Sequence, residues 1–258
     1  KNLSAVAEYL IQAENYDRLE DYIQKNFQDV ILAESKSGIS DILAGVPADV
    51  YRNKAWLPLA FGHVLLSVSP DKTRDIFLQT LDTFTAYGSR VGSIISACGL
   101  LSFYCGIDGN LKEAERYFGS VRTMMSDACD ELSEPVKMTV CATYAQGCVY
   151  FADGNTAIEY LNRALSIAEK YHIEPYRTFI YTLYVSAYLT LCDRKMAEKY
   201  CNMIILKLGS DRDGAFFKLW LVSAMLYFFA LTGQFAALHT IMSIIRKKFR
   251  LHLENSPR

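Results

Sequence analysis

The 258-residue sequence lacks the motifs by which most enzymes announce themselves. It has no G-x-x-x-x-G-K-[ST] phosphate loop, no G-x-G-x-x-G, no G-x-S-x-G and no H-E-x-x-H. Its four histidines, His63, His172, His239 and His252, are scattered without ligand spacing, so a non-enzyme is expected. An excess of one charge is missing too. The formal net charge is −1, which removes the basic footprint of a nucleic-acid-binding domain. Of seven cysteines none forms a C-x-x-C pair, and an odd number at these spacings suits no disulfide framework. Cys98 with Cys105, and Cys141 with Cys148, recur seven apart on one helix face. They read as small buried hydrophobes in a reducing cytoplasm, with a zinc site as the sharper alternative. The longest apolar stretch, 219–231, is shorter than the roughly 20 residues that span a bilayer, and a core helix is the better reading. No signal peptide is visible, and a cytoplasmic location without membrane attachment is expected.

Helical periodicity, by contrast, is present throughout, and no convincing period-2 strand interrupts it. Phe77, Leu78 and Leu81 fall at helical spacing, as do Ala157, Leu161, Ala164 and Leu165. Ser69-Pro70, Glu134-Pro135 and Glu174-Pro175 place proline near helix starts, where its missing N–H goes unneeded. Breaks are expected at Gly88, at Asp108-Gly109-Asn110, at Asp153-Gly154-Asn155, at Cys192-Asp193, between Gly209 and Gly214, and at Gly233.

After four of these breaks one unit recurs: a short turn, a small or apolar residue, then apolar residues four and seven positions on. Ala114 is followed by Phe118 and Val121, Ala157 by Leu161 and Ala164, Ala197 by Cys201 and Ile204, and Leu238 by Met242 and Ile245. From Ala114 to Ala157, Ala197 and Leu238 the steps are 43, 40 and 41 residues. Weaker copies precede them at Leu19–Ile23 and within Asp71–Leu81. A fixed period with one turn per unit predicts stacked antiparallel helix hairpins, because one hairpin cannot cover its own apolar face. The expected fold is all-α, a right-handed superhelical solenoid like tetratricopeptide repeats but with a period near 40 rather than 34. One domain over 1–258 is expected, with leader helices at 1–68, repeats at 69–252 and a tail at 253–258.

Residues 13–66 carry a more specific pattern. Ala13-Glu14-Asn15-Tyr16-Asp17-Arg18-Leu19 precedes a helix expected to end near Glu34. A short helix, the turn Val46-Pro47-Ala48-Asp49-Val50 and the start Arg52-Asn53-Lys54-Ala55-Trp56-Leu57-Pro58-Leu59 follow. This order resembles the regulatory region of the MalT-type, LuxR-family bacterial transcription activators, and the match runs in order along nearly the whole chain. Glu14 stands where that family usually has glycine, and Lys54-Ala55 where arginine-proline is common. The resemblance implies a sensor module with no cofactor, set beside an ATP-binding domain and a DNA-binding domain. Its partners would be an inducer, a protein or peptide, and the neighbouring domains of the same chain.

In such arrays the first helix of each hairpin lines a concave groove. Counting back from the bulky late positions Tyr150, Tyr188 and Phe229 gives groove candidates Phe103, Tyr144, Thr182, Ser186, Trp220 and Tyr227, with Ser96, Cys141, Cys148, Phe179 and Ser223 beside them. Arg177 and Lys218, near helix starts, are placed to meet an anionic or polar group. Aromatics interleaved with hydroxyls suit a peptide, a sugar or another small amphipathic ligand, although the same stripe also fits inter-repeat core. Arg246-Lys247-Lys248-Phe249-Arg250 is either a contact for a partner or DNA, or a set of cations favoured at a helix C-terminus.

Overall fold

The structure, a computed structural model, describes residues 3–33, 36–128, 131–207 and 215–243. These residues are helical throughout, with no strand among them. In chain order the helices are α1 (Leu3–Gln12), α2 (Tyr16–Lys25), α3 (Phe27–Leu32), α4 (Lys36–Ala44), α5 (Ala48–Arg52), α6 (Trp56–Leu65), α7 (Thr73–Ala86), α8 (Arg90–Phe103), α9 (Leu111–Ala128), α10 (Glu134–Tyr150), α11 (Gly154–Lys170), α12 (Glu174–Thr190), α13 (Arg194–Lys207), α14 (Ala215–Leu231) and α15 (235–243). A 3-10 turn at Pro70–Lys72 leads into α7, and α8 ends in a π turn at Tyr104–Asp108. The break expected between Gly209 and Gly214 and the basic run at 246–250 lie outside the described residues, as do the tail and Cys129.

One device closes six of the fifteen helices described. At Glu14, Gly88, Ala152, His172, Cys192 and Gly233 the residue just past the helix takes a positive φ between 51° and 72°. The next residue then donates its N–H five positions back: Asn15 to Leu10 O, Ser89 to Phe84 O, Asp153 to Cys148 O, Ile173 to Ala168 O, Asp193 to Tyr188 O and Gln234 to Phe229 O. This is the Schellman arrangement, which satisfies carbonyls the helix itself leaves open. Four of those next residues begin the following helix at once. Asn15, Ser89, Asp153 and Asp193 accept the N–H of Arg18, Gly92, Thr156 and Met196. Asn110, after Gly109, does the same for Glu113. A two-residue joint therefore reverses the chain, and successive helices lie side by side.

The packing follows chain order. α7 lies on α8, α8 on α9, α10 on α11, α11 on α12 and α12 on α13. In addition α8 touches α10, α10 touches α12, and α12 touches α14. The recurring sequence positions form the core of this stack. Ala114, Ala157, Ala197, Val121, Leu161, Ala164 and Ile204 are all fully buried, and so is Leu19 of the early copy. Gly147 lets α10 approach α9: a Cβ there would stand 2.5 Å from the Phe118 ring. Gly99 bears the same relation to Phe77. From Pro135 to Cys148 every residue of α10 except Lys137 is buried, Thr139, Thr143 and Gln146 among them.

The leader corrects one expectation. The helix anticipated from Tyr16 to near Glu34 breaks at Asn26 into α2 and α3. No glycine or proline marks the break. Asn26 makes it by donating its side-chain amide to Tyr22 O at 2.8 Å, competing with the helical backbone. The leader is then tied together by Glu20. Its carboxylate accepts the N–H groups of Ala55, Trp56 and Leu57 at 2.7–2.9 Å, so an anion sits on the α6 N-terminus. Lys54 pairs with Asp17 beside it.

Candidate functional site

The leader does not stop at the first hairpin. α3 packs on α10, whose sequence begins more than a hundred residues later, and also on α6. Its Phe27 presents an edge to Trp56 at 5.7 Å and to His63 at 5.9 Å, and Trp56 meets Phe84 of α7 at 4.9 Å. Edge-to-face pairs of this kind add roughly 0.5–1.5 kcal/mol each to plain burial. His63 carries the contact onward: its Nε2 lies 3.3 Å from the Tyr176 hydroxyl, joining α6 to the start of α12 across 113 positions of sequence. Burial pushes the Tyr176 phenol up, and a hydrogen bond with the Thr139 hydroxyl of α10 partly offsets that. A neutral Tyr176 hydroxyl thus links α6, α10 and α12, and Phe27 of α3 closes the cluster.

A second polar seam runs between the first helices. Ser102 of α8 donates to Gln146 Oε1 of α10 at 3.3 Å and lies 3.5 Å from the Thr143 hydroxyl. With Glu134-Pro135 aligned on Glu174-Pro175, Gln146 corresponds to Ser186 of α12 and Tyr144 to Tyr184.

The residues expected in one groove are distributed differently. Phe103, Tyr144 and Thr182 are buried. Tyr144 stacks on Phe118 of α9 at 5.0 Å and meets Tyr160 of α11 edge-on at 4.7 Å, so it points into the hairpin core. Burial raises its hydroxyl to about 12. Phe103 packs on Tyr104, and Thr182 returns its hydroxyl to Phe179 O. Ser186 is half-buried and donates to Thr182 O, and Tyr227 is 48% exposed. Arg177 lies on the wrong face to join them. At about 100° per residue it is half a turn away from Ser186, and close in angle to Tyr181, Tyr184 and Tyr188. It pairs with Glu174 and with the Tyr181 hydroxyl, while its Nε is buried without a partner. Tyr181, Tyr184 and Tyr188 meet Tyr200 of α13, with the Tyr184 and Tyr200 rings stacked at 4.3 Å, and Tyr184 also donates to Asn162 at 2.5 Å. Lys218 and Trp220 fall on α14, but their side chains lie outside the described residues.

The cysteines are placed as small hydrophobes. Cys98, Cys141, Cys148 and Cys201 are buried, Cys105 is half-buried and Cys192 is exposed. Burial lifts the thiols of Cys105 and Cys148 to about 12 and that of Cys201 to about 11. Among the described residues no group of His, Cys, Asp and Glu gathers that would hold a metal ion. One helical run, Arg90–Asp108, is long and apolar enough to cross a membrane by length and composition, with 67% of it buried inside the fold.

Sequence reasoning missed the Phe27–His63–Tyr176–Thr139 cluster and the Glu20 cap. Both depend on contacts tens of residues apart or more, for which no local pattern exists. No family model matches this chain, and no curated protein matches it either.

Proposed function

We propose that this chain is a binding and regulatory module: a solenoid of helix hairpins, like long-helix tetratricopeptide repeats, that receives a ligand or partner along its first helices. The observation that carries the reading is the successive packing of α8, α10, α12 and α14, each reached through a hairpin. Such stacking builds an extended surface whose curvature and spacing suit a peptide or small amphipathic molecule. The order of the leader and repeats, with its likeness to the MalT-type regulatory region, supports a sensor role in a bacterial transcription regulator of the cytoplasm. In that role binding would shift the packing against neighbouring domains. This segment would bind neither nucleic acid nor membrane itself, in keeping with its charge of −1. Because Phe103, Tyr144 and Thr182 are buried, the surface offered to a ligand narrows to the Ser186 side of α12 and to Tyr227.

A thermal-shift screen with sugars, peptides and nucleotides tests this. A ligand at 100 times its dissociation constant adds about 2.7 kcal/mol of stability. Ser186→Ala and Tyr227→Ala should weaken the response without loss of helicity. A flat response across the panel favours the second reading, a constitutive protein–protein scaffold, for which the exposed aromatic residues Tyr227 and Phe235 speak.

A further inference from the structure

We propose that α8, α10, α12 and α14 carry a row of uncharged hydrogen-bonding side chains, Ser102, Gln146, Ser186 and Tyr227, that binds an extended, uncharged peptide through its main chain, with Gln146 Nε2 donating to a peptide carbonyl. The inference rests on the reading of the chain as a binding module and names the ligand class and the residues that meet it.

The ends of these helices fix the register. Gly109, Asp153, Asp193 and Gln234 each donate an N–H five positions back, to Tyr104 O, Cys148 O, Tyr188 O and Phe229 O. Two residues before each of those carbonyls stand Ser102, Gln146, Ser186 and Tyr227. The hydroxyl of Ser102 meets Gln146 Oε1 directly, so neighbours in this register are neighbours in space. The row opens along its length, from Gln146 at 5% exposure through the half-buried Ser186 to the exposed Tyr227.

Gln146 is the observation that calls for a ligand. Its Oε1 is taken by Ser102, but its Nε2 has no hydrogen-bond partner among the described residues. The described side-chain atoms that are sealed from solvent without a partner are Asp29 Oδ2 and Arg177 Nε, so the Gln146 nitrogen opens onto whatever lies over the row. An occupant that brought only apolar atoms would strand this donor, so the occupant supplies an acceptor. Its charge is limited too. No charged residue stands three or four positions from any of the four on its own helix, which leaves phosphates and carboxylates without a counter-charge. Packed helices lie about 8–10 Å apart and an extended chain advances about 3.3 Å per residue, so one step of the row matches about three peptide residues. A main chain offers a carbonyl and an N–H at each residue, and the Ser186 hydroxyl, which donates to Thr182 O at 3.4 Å, keeps lone pairs for such an N–H. A compact sugar covers one step, whereas a peptide strand covers the row.

The test presents the unmodified chain to arrayed nine-residue peptides built from Ala, Asn, Gln, Leu, Ser, Thr and Val, and to a second array that adds Asp, Glu, Lys and Arg. Peptides of the first array should bind and, remade in solution, should shift the Gln146 side-chain amide signals in a nitrogen–proton correlation spectrum. Gln146→Leu should weaken binding at least tenfold, and Ser186→Ala at least threefold. Esters substituted singly for the peptide's amides should weaken binding at positions about three residues apart. No binder in the first array, tighter binding by the charged peptides, or binders that leave the Gln146 signals unmoved would each overturn the proposal. Should Gln146→Leu fail to fold, those signals in the unmodified chain decide. A small molecule that shifts the melting while no peptide binds would remove this inference and leave the binding-module reading standing.

Discussion

Replacing Ala152 with glycine should stabilise the protein, although it removes a methyl group and adds freedom to the unfolded chain. Ala152 holds φ at +60° in the joint between α10 and α11, and its side chain is exposed, so little burial is lost. The left-handed conformation costs an L-residue roughly 1–2 kcal/mol, while glycine costs the folded state roughly 0.5–1 kcal/mol in chain entropy. The difference predicts a gain of about 0.5–1 kcal/mol, or about 2 °C in melting temperature for a chain of this size. Gly88 supplies the mirror experiment. It holds φ at +68° with nothing within 4 Å of where a Cβ would stand, so Gly88→Ala changes backbone strain alone and should destabilise by a similar amount. Glu14→Gly and Cys192→Gly, in separate joints at φ 51° and 57°, should each add a comparable gain, nearly additively with Ala152→Gly. Urea unfolding followed by circular dichroism, with the m-value constant across the set, measures this. A loss of stability in Ala152→Gly together with no loss in Gly88→Ala would refute the claim that these joints are left-handed Schellman turns.

Four further outcomes are expected. Glu20→Ala leaves three N–H groups at the α6 N-terminus without their acceptor and should cost about 1–2 kcal/mol in urea unfolding, with Glu20→Gln costing less. Gly147→Ala forces the Phe118 ring away from a Cβ 2.5 Å distant and should cost about 1–3 kcal/mol in the same assay, the ordinary penalty of overpacking. Cys148 stays protonated in the folded chain to about 12 against its usual 9.0, and Cys201 to about 11, so alkaline pH favours the unfolded state, in which these thiols ionise. Stability should therefore hold below pH 9 and decline from about 9 towards 11–12. Peptide-resolved alkylation at pH 8 should modify Cys192 promptly and Cys98, Cys141, Cys148 and Cys201 only on unfolding.

The helix joints were legible because each is local. A positive-φ position followed by Asn, Ser or Asp sits within six residues of the bonds it makes, and the buried Ala114, Ala157 and Ala197 follow at fixed distance. Facing was harder to read. α10 is buried nearly all round, its polar Thr139, Thr143 and Gln146 included, so periodicity offers no polar side from which to orient it, and Tyr144, expected in a groove, packs between α9 and α11. Arg177 was separated from Ser186 by helical angle alone, which counting back from a bulky position does not weigh. The α2–α3 break escaped notice because asparagine ends the helix through its side chain rather than by a forbidden φ. The fold-over of the leader could not be read at all: Phe27, His63, Thr139 and Tyr176 meet only once the hairpins between them are stacked.

That fold-over is the central structural claim, because it decides which face of the stacked helices the leader covers. Selective labelling of histidine and tyrosine, with the chain otherwise deuterated, reduces the question to one cross-peak in a nuclear Overhauser spectrum. The structure predicts a peak between the His63 and Tyr176 rings, given the 3.3 Å separation of Nε2 and the hydroxyl. No peak in the unmodified chain, with Tyr176 instead showing contacts to rings outside α6, would contradict it.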